Sequence, residues 1–315
     1  MNFGTITILS NVTDISIDGP YLAGLSGNMV AFLNISQPAN PVYLTTYTHS
    51  SFLNKIILKY PYLYALSDVG LEIVDFSSFV NPAIVSSNAL GFVPTNYCLD
   101  ATHVYAMEAG YILHVYQIGN QSALLETDCA NINYTVYGMI ARNGYAYLSC
   151  TTSYLKVADA TVPGQMSITS LNQTNHPPQK LAVHNNLLAV TANGWLIDYY
   201  RLDNPALPEY AASYMAWSNS FIALADNYTI TGGGFSIHSI NHTDLTELAL
   251  VWQQPVTGST KRIAVADSLL ICLNTGSGEQ LYRLFPDNRQ PELLGSIASS
   301  SSNDICLRDL SLIHI

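Results

Sequence analysis

The sequence feature that most constrains the fold is a repeat with a period of 41–42 residues. A short apolar segment recurs seven times, as PYLAGL from Pro20, PYLYAL from Pro61, HVYAME from His103, YAYLSC from Tyr145, LLAVTA from Leu187, YTITGG from Tyr228 and LLICLN from Leu269. Successive starts differ by 41, 42, 42, 42, 41 and 41 residues. A period this constant predicts tandem copies of one structural unit.

Each unit contains four short segments with the pattern of β-strands. In the second unit these are KIILK, YLYALS, LEIVDFS and AIVSS, separated by Tyr60-Pro61, by Asp68–Gly70 and by a loop through Asn81-Pro82. The segments are rich in Val, Ile, Leu and Tyr, which favour strands. Asn143-Gly144 and Asn185-Asn186 tolerate positive backbone angles and predict tight hairpin turns.

A four-stranded unit of about 40 residues, repeated without helix-period segments, predicts an all-β protein: a β-propeller of seven to eight four-stranded blades. Each blade buries its faces against its neighbours. A solenoid usually has shorter turns of chain, and a two-domain sandwich would not explain the constant period.

One unit also resembles a known family. The segment GLEIVDFSSFVNP, from Gly70 to Pro82, contains LEIVDFSSFVNP, which is similar to the signature of the LVIVD-repeat family. FLNISQPANP from Phe32, LKVADATVPG from Leu155 and YRLDNPALPE from Tyr200 are more decayed matches. The resemblance implies a propeller, a secreted or surface location and a poorly defined function, and it brings no catalytic residues to transfer.

The two ends carry partial units. FGTITILSN fits a fourth strand without its first three, and SNDICLRD fits the first strand of an eighth blade. Such strands suit a blade shared by the two termini, and we expect a single propeller domain over residues 1–309. LSLIHI, residues 310–315, matches the translation of a common transposase sequencing adapter, so we interpret it as an artefact; the alternative is a native apolar strand.

Charge excludes several partners. The net charge is -11 with only 11 Lys and Arg residues, so no basic stripe can neutralise phosphates or anionic lipid headgroups. We therefore expect no nucleic-acid partner. No apolar run approaches the roughly 20 residues that cross a bilayer, and the first ten residues lack the features of a signal peptide.

The cysteines give no sign of a metal site or cofactor. No CxxC pair and no Cys/His ligand spacing is present. The odd count and wide scatter favour buried free thiols over a disulfide framework. The five are Cys98, Cys129, Cys150, Cys272 and Cys306.

Seven N-glycosylation sequons are weak evidence for export. They start at Asn11, Asn34, Asn120, Asn133, Asn172, Asn227 and Asn241. Asn34 and Asn241 also fall where the repeat favours a polar residue at the end of a strand, which is the structural alternative.

Four ionisable residues are candidates for chemistry at one mouth of the propeller channel. His49 and His176 lie in segments that link one unit to the next, and Asp68 and Glu108 lie between second and third strands at the same mouth. An acid/base pair could be drawn from them. No Ser or Cys nucleophile is visibly paired with either histidine, so a catalytic triad is unsupported.

Other polar residues fit structural roles better. We expect strand histidines to be packed or solvent-facing, carboxylates at third-strand ends to cap the following turn, and the glycines of TGGGF to form a flexible turn rather than a phosphate loop. These residues are His103, His114, His184 and His238; Asp75, Asp159 and Asp203; and Gly232–Gly234.

The same mouth is rich in aromatic and amide side chains, which suit recognition of carbohydrate or of an extended peptide. The alternative is that they pack between blades. They are Phe52, Phe92, Asn96, Tyr134, Trp195, Tyr214 and Trp217.

The preferred interpretation is a noncatalytic extracellular or cell-surface propeller that acts as a binding or adhesion module for a protein or carbohydrate. One alternative is a channel-mouth enzyme, a hydrolase or lyase acting on polysaccharide. A second alternative is a structural repeat region of a larger surface protein.

Overall fold

The computed structural model describes residues 14–34, 36, 42–68, 70–88, 90–119, 123–151, 154–171, 177–193, 195–216, 221–233, 236–256, 260–266, 269–274, 278–285 and 289–297. These residues form seven four-stranded antiparallel sheets, and they include no α-helix. In every sheet the strand order follows the chain, so each sheet is a simple meander. The sheets are called blades 1 to 7.

The strands of blades 1 to 4 are β1 Asp14–Asp18, β2 Tyr21–Ser26, β3 Met29–Asn34, β4 Val42–Thr48, β5 Leu53–Lys59, β6 Tyr62–Ser67, β7 Leu71–Asp75, β8 Ala83–Asn88, β9 Pro94–Leu99, β10 His103–Glu108, β11 Ile112–Gly119, β12 Ala123–Asn131, β13 Val136–Arg142, β14 Tyr145–Cys150, β15 Tyr154–Asp159 and β16 Ser167–Leu171. The strands of blades 5 to 7 are β17 Pro178–His184, β18 Leu187–Ala192, β19 Leu196–Arg201, β20 Glu209–Met215, β21 Phe221–Leu224, β22 Tyr228–Gly233, β23 Ser236–Asn241, β24 Ala249–Pro255, β25 Thr260–Ala266, β26 Leu269–Asn274, β27 Gly278–Arg283 and β28 Glu292–Ile297.

The repeat read from the sequence is confirmed strand by strand. All seven recurring segments are second strands, and YLYALS coincides with β6. The predicted turns have positive φ at three of their four residues, 52° at Asn143, 86° at Gly144 and 47° at Asn185, and not at Asn186. The partial units FGTITILSN and SNDICLRD, and the segment LSLIHI, lie outside the described residues.

The LEIVD segment forms the third strand of blade 2, β7. The pairing of β7 with β8 shifts register between Ile73 and Val74, because β8 has one extra residue there, and the fourth strand has such a β-bulge in six of the seven blades. Asp75 ends the strand, and its Oδ1 accepts a hydrogen bond from the Ser77 N–H at 2.7 Å. The segment therefore pairs with the bulged fourth strand and caps the next loop.

The hydrophobic core lies between neighbouring blades. One cluster joins Leu25 and Phe32 of blade 1 to Ile56 and Leu63 of blade 2, and all four side chains are at most 1% exposed. Comparable clusters join each further pair of consecutive blades up to blade 7. Because second and third strands are buried on both faces, one blade has no complete core of its own.

Blades 1 and 2 are also joined by a ladder of polar contacts between their first strands. In β1, the side chains of Asp14, Ser16 and Asp18 accept hydrogen bonds from backbone N–H groups of the neighbouring first strand and its turn. The donors are Ile56 at 2.8 Å, Leu58 at 2.7 Å and Tyr60 at 2.9 Å, respectively. The N–H groups of Ile56 and Leu58 on this edge of β5 are thus satisfied by side chains of blade 1.

Blades 3 and 4 are joined by the carboxylate of Asp100, which also accepts a hydrogen bond from a backbone N–H group of the neighbouring blade. Asp100 Oδ2 accepts a hydrogen bond from the Gly144 N–H at 2.6 Å, while Oδ1 accepts from the N–H groups of Thr102 and His103. Burial alone would raise the pKa of Asp100. The hydrogen bonds from His103, Thr102 and Gly144 outweigh burial and hold this pKa well below its usual range.

The meander fixes two ends for each blade. Loops between second and third strands lie at one end, with the links between blades; this is called the link end. Turns between first and second strands lie at the other end, with the loops between third and fourth strands; this is called the turn end.

None of the described residues belongs to a helix long and apolar enough to span a membrane.

Two sequence predictions are wrong in detail. Gly232 and Gly233 belong to β22 and not to a flexible turn, and Gly234 lies outside the described residues. A Cβ on Gly232 would lie 3.0 Å from Ile237 Cγ2, so a side chain there would require Ile237 to shift. Of the cysteines within the described ranges, all are free, but Cys129 is exposed on the outer strand β12. Cys306 lies outside those ranges.

Candidate functional site

The link-end candidate His49 is buried and paired with a residue that the sequence did not suggest. Its Nε2 lies 2.5 Å from Glu72 Oε2, and Ser87 Oγ donates to Glu72 Oε1 at 3.2 Å. In a catalytic triad the imidazole stands between hydroxyl and carboxylate. Here the carboxylate stands in the middle, so His49 cannot take a proton from Ser87.

The other link-end candidates within the described residues are also bonded elsewhere. Asn54 Nδ2 donates to Asp68 Oδ1 at 2.5 Å, and Glu108 Oε2 lies 3.1 Å from His114 Nε2. Asn96 Nδ2 donates to the carbonyl oxygen of Val136 at 3.3 Å and so joins blades 3 and 4. His176 lies outside the described residues. The geometry therefore gives no acid/base pair among His49, Asp68 and Glu108.

Three rings of the inter-blade links have a structural role, because each packs against the polar residue in the middle of the next third strand. His49 bonds Glu72, the Phe92 ring stacks on His114 at 4.4 Å, and Lys156 Nζ lies 4.8 Å from the centre of the Tyr134 ring. Phe92 and Tyr134 also pack against the core clusters between consecutive blades, which favours the alternative that these two rings pack between blades.

The remaining aromatic candidates do not form one described surface. Phe52 and Trp195 are exposed, at 72% and 57%, but they lie in blades 2 and 5. Tyr214 packs into the core between blades 5 and 6. Trp217 lies outside the described residues.

The sequons divide into two groups. Asn34 and Asn241 cap turns, since their Oδ1 atoms accept hydrogen bonds from the N–H groups of Ser36 at 2.9 Å and Thr243 at 2.8 Å. Asn133 and Asn227 are exposed. Asn11, Asn120 and Asn172 lie outside the described residues.

A cleft of about 500 Å³ opens at the turn end between blades 5 and 6. This volume is within the range of about 300–1,000 Å³ that is usual for ligand sites. The cleft is lined by His184, Asn185, Asn186, Leu187, Arg201, Asp203, Ala225, Asp226, His242, Thr243, Asp244 and Leu245. No motif in the sequence predicted this site.

One wall of the cleft is bridged by a side-chain pair. His184 Nε2 lies 2.8 Å from Asp226 Oδ1, which also accepts a hydrogen bond from Asn185 Nδ2 at 3.2 Å. These contacts with His184 and then with Asn185 lower the pKa of Asp226. The pair is exposed, and the Asp226 side chain is 79% accessible, so its carboxylate remains open to a ligand.

The floor of the cleft contains a histidine that breaks the repeat. The residue after the third strand is buried and apolar in several blades, as with Phe76, Ala160, Leu202 and Leu284, but it is His242 in blade 6. Burial lowers the pKa of His242, and this side chain is therefore held neutral near physiological pH.

A buried chain of hydroxyl groups orients His242. Tyr199 OH donates to Thr229 Oγ1 at 2.9 Å, and Thr229 Oγ1 lies 2.9 Å from His242 Nδ1, so the two groups share a hydrogen bond. These hydrogen bonds connect His242, at the floor of the cleft, to Tyr199 in the core of blade 5.

A second break in the repeat supplies charge. The third strand ends in a turn-capping Asn or Asp in four blades, whereas it ends in arginine in blades 5 and 7, at Arg201 and Arg283. The prediction that Asp203 caps its turn is wrong, because its Oδ1 instead accepts from Asn186 Nδ2 at 3.5 Å. Hydrogen bonds from Thr246, with the nearby Arg201 charge, lower the pKa of Asp244.

The electrostatic character of the cleft follows from these residues. Asp203, Asp226 and Asp244 are carboxylates at neutral pH, Arg201 is the cation among the lining residues, and His242 is neutral. The cleft therefore has a net negative charge and offers acceptors to a cationic group.

Seven meander sheets packed side by side, with cores between consecutive blades, define the class of this protein: it is a β-propeller. No family model and no curated protein matches the sequence.

Solved structures do match. Sqt1 of Saccharomyces cerevisiae is 12% identical with a TM-score of 0.72, covering 93% of this chain and 88% of that chain. Hsv2 of Kluyveromyces lactis is 12% identical with a TM-score of 0.70, covering 91% and 98%. BamB from Moraxella catarrhalis is 12% identical with a TM-score of 0.60, covering 87% and 83%. At these identities the similarity shows the fold alone.

Proposed function

We propose that this propeller is a noncatalytic binding module of the extracellular or cell-surface type, which recognises a basic segment of a partner protein in the cleft between blades 5 and 6. The observation that carries the proposal is the acidic lining of that cleft, where three carboxylates accompany one arginine. A Lys or Arg side chain would find charged acceptors there.

Long-range charge supports the same partner. The whole chain has a net charge of -11, so a basic segment is attracted to it before contact and an acidic one is repelled. The cleft is also open and polar, which suits a side chain presented by another protein better than a fully enclosed small molecule.

The binding test uses a defined probe. A fluorescein-labelled Gly-Ser peptide carrying two adjacent arginines is titrated with the full chain, alongside the same peptide with neutral citrulline at both positions. We expect saturable binding of the arginine peptide that weakens as salt rises, and much weaker binding of the citrulline peptide. No saturable binding, or equal binding of both peptides, would overturn the proposal.

The extracellular location is supported by the resemblance of LEIVDFSSFVNP to LVIVD repeats and by the exposed sequon at Asn133. Membership of that family is part of the same proposal. Glycopeptide mass spectrometry of the protein from its natural source tests the location. We expect a glycan on Asn133, and an unmodified Asn133 would contradict it.

A further inference from the structure

A cluster of metal-binding groups lies on one face of blade 3, apart from the cleft. The ligand atoms of His114, Glu126 and Cys129 all lie within 4.8 Å of one another. Glu108 adds a second carboxylate, 3.1 Å from His114 Nε2. These groups come from three neighbouring strands, β10, β11 and β12.

The strand register explains why they share a face. His114 lies directly opposite Cys129, and Glu108 lies opposite Ile112, two residues before His114. Residues two apart on a strand point to the same face. The β-bulge in this pair places Glu126 opposite Tyr116, so Glu126 joins the face of Cys129 and not the opposite one.

The imidazole of His114 is held from several sides. Nδ1 lies 2.7 Å from Glu126 Oε1, Nε2 lies 4.0 Å from Cys129 Sγ, and the Phe92 ring stacks over the imidazole. Whichever nitrogen binds an ion, the other faces a carboxylate. A histidine ligand in proteins characteristically donates its second N–H to such a group, which fixes the ring.

Distances and chemistry fit Zn²⁺. In a tetrahedral site with bonds of about 2.0–2.3 Å, ligand atoms lie about 3.3–3.6 Å apart. The spacing of 2.7 Å between His114 Nδ1 and Glu126 Oε1 and the limit of 4.8 Å that contains all three ligand atoms bracket this range, so small side-chain rotations complete a site. An imidazole, a thiol and carboxylates are all ligand types that Zn²⁺ takes in proteins.

Comparison with the other blades shows that the thiol is a departure from the repeat. At the position of Cys129, opposite the middle of the third strand, the other blades have Thr46, Ser87, Ser170, Ser213, Gln253 and Ser296. At the position of His114, blade 7 has Gln280. Cys129→Ser and His114→Gln are therefore compatible with the fold of a blade.

We propose that His114, Glu126 and Cys129, assisted by Glu108, bind a divalent ion of the Zn²⁺ class. Cys129 coordinates as the thiolate, and its proton passes to solvent when the ion binds. At least one coordination position faces water, since Glu126 and Cys129 are exposed. This site is independent of the cleft, so neither proposal depends on the other.

The test uses the full chain, freed of metal with a chelator and titrated with ZnCl₂ by calorimetry and with CoCl₂ by absorbance. We expect one ion per chain and a thiolate-to-Co²⁺ charge-transfer band. Cys129→Ser and His114→Gln place in blade 3 the residues that other blades carry. Both should fold, lose the band or shift it, and weaken Zn²⁺ binding at least about tenfold.

Cys98→Ser is the matched control, because it removes a thiol from the same blade outside this cluster and should leave binding unchanged. Absence of saturable Zn²⁺ binding would overturn the proposal. So would binding that survives Cys129→Ser and His114→Gln, because the ion would then be bound by other residues.

Discussion

The contact region between two consecutive blades is called a joint. The joint between blades 1 and 2 and the joint between blades 5 and 6 are held by different kinds of polar contact. In the first, three β1 side chains accept hydrogen bonds from backbone N–H groups at the next first strand and its turn. In the second, the exposed pair His184 and Asp226 bridges the turns. The first joint is closed by buried contacts, and the second leaves a cleft of about 500 Å³.

The difference shows where this fold can carry a ligand. Removing a side chain that satisfies a buried backbone group lowers the free energy of unfolding. The polar contacts between blades 1 and 2 therefore serve stability. An exposed ion pair contributes little to folding. Its residues are therefore free to bind something else, and we expect the two joints to respond differently to the same substitution.

The largest difference in the free energy of unfolding should appear when one polar residue at each joint is replaced by alanine. Asp14→Ala leaves the buried Ile56 N–H without its acceptor and should lower the free energy of unfolding by about 1–3 kcal/mol. Asp14→Asn keeps an oxygen acceptor and should cost less. His184→Ala removes an exposed pair and should cost less than about 1 kcal/mol. Urea unfolding measures all three, and equal losses at both joints would contradict the contrast.

A smaller effect should appear in the pH dependence of stability. The pKa of His242 is lowered by burial in the folded state, whereas an unfolded histidine titrates near pH 6.5. Below that pH the unfolded state binds more protons, so stability falls as pH decreases, with a slope of at most about 1.4 kcal/mol per pH unit.

His242→Leu introduces the residue that blades 5 and 7 carry at this position, Leu202 and Leu284. It should flatten the loss of stability between about pH 7 and pH 5 relative to the native chain. The pKa of His238 is also lowered by burial, and its contribution remains in both proteins. Urea unfolding across this pH range is the measurement, and an unchanged slope would show that His242 does not titrate as described.

The fold could be read from the sequence because it depends on a local pattern that repeats. The period located all seven second strands, and LEIVD located a third strand with its turn cap. The joints could not be read in this way, because they connect residues about 42 positions apart, as in Asp14 to Ile56. Hydrophobic periodicity carries no information about such polar contacts.

Most residues of the two sites were not predicted, for a related reason. The sequence patterns favoured histidines and rings in the links and carboxylates between second and third strands, and of these Glu108 lies beside the proposed metal site. The useful signal was a break in the repeat: Arg201 where a turn cap is usual, His242 where an apolar residue is usual, and Cys129 where Ser or Thr is usual. Aligning the seven blades residue by residue would have found all three.

The most direct test of the central claim compares two substitutions that each remove one negative charge. Asp226→Asn alters the cleft and introduces the residue that blades 4 and 5 have in the same turn, Asn143 and Asn185. Asp68→Asn alters an exposed carboxylate at the link end of blade 2.

Fluorescence anisotropy with the arginine peptide is the measurement. We expect Asp226→Asn to weaken binding about fivefold, which corresponds to about 1 kcal/mol, and Asp68→Asn to leave it unchanged. Equal weakening by both substitutions, or none by Asp226→Asn, would contradict the assignment of the cleft between blades 5 and 6 as the binding site.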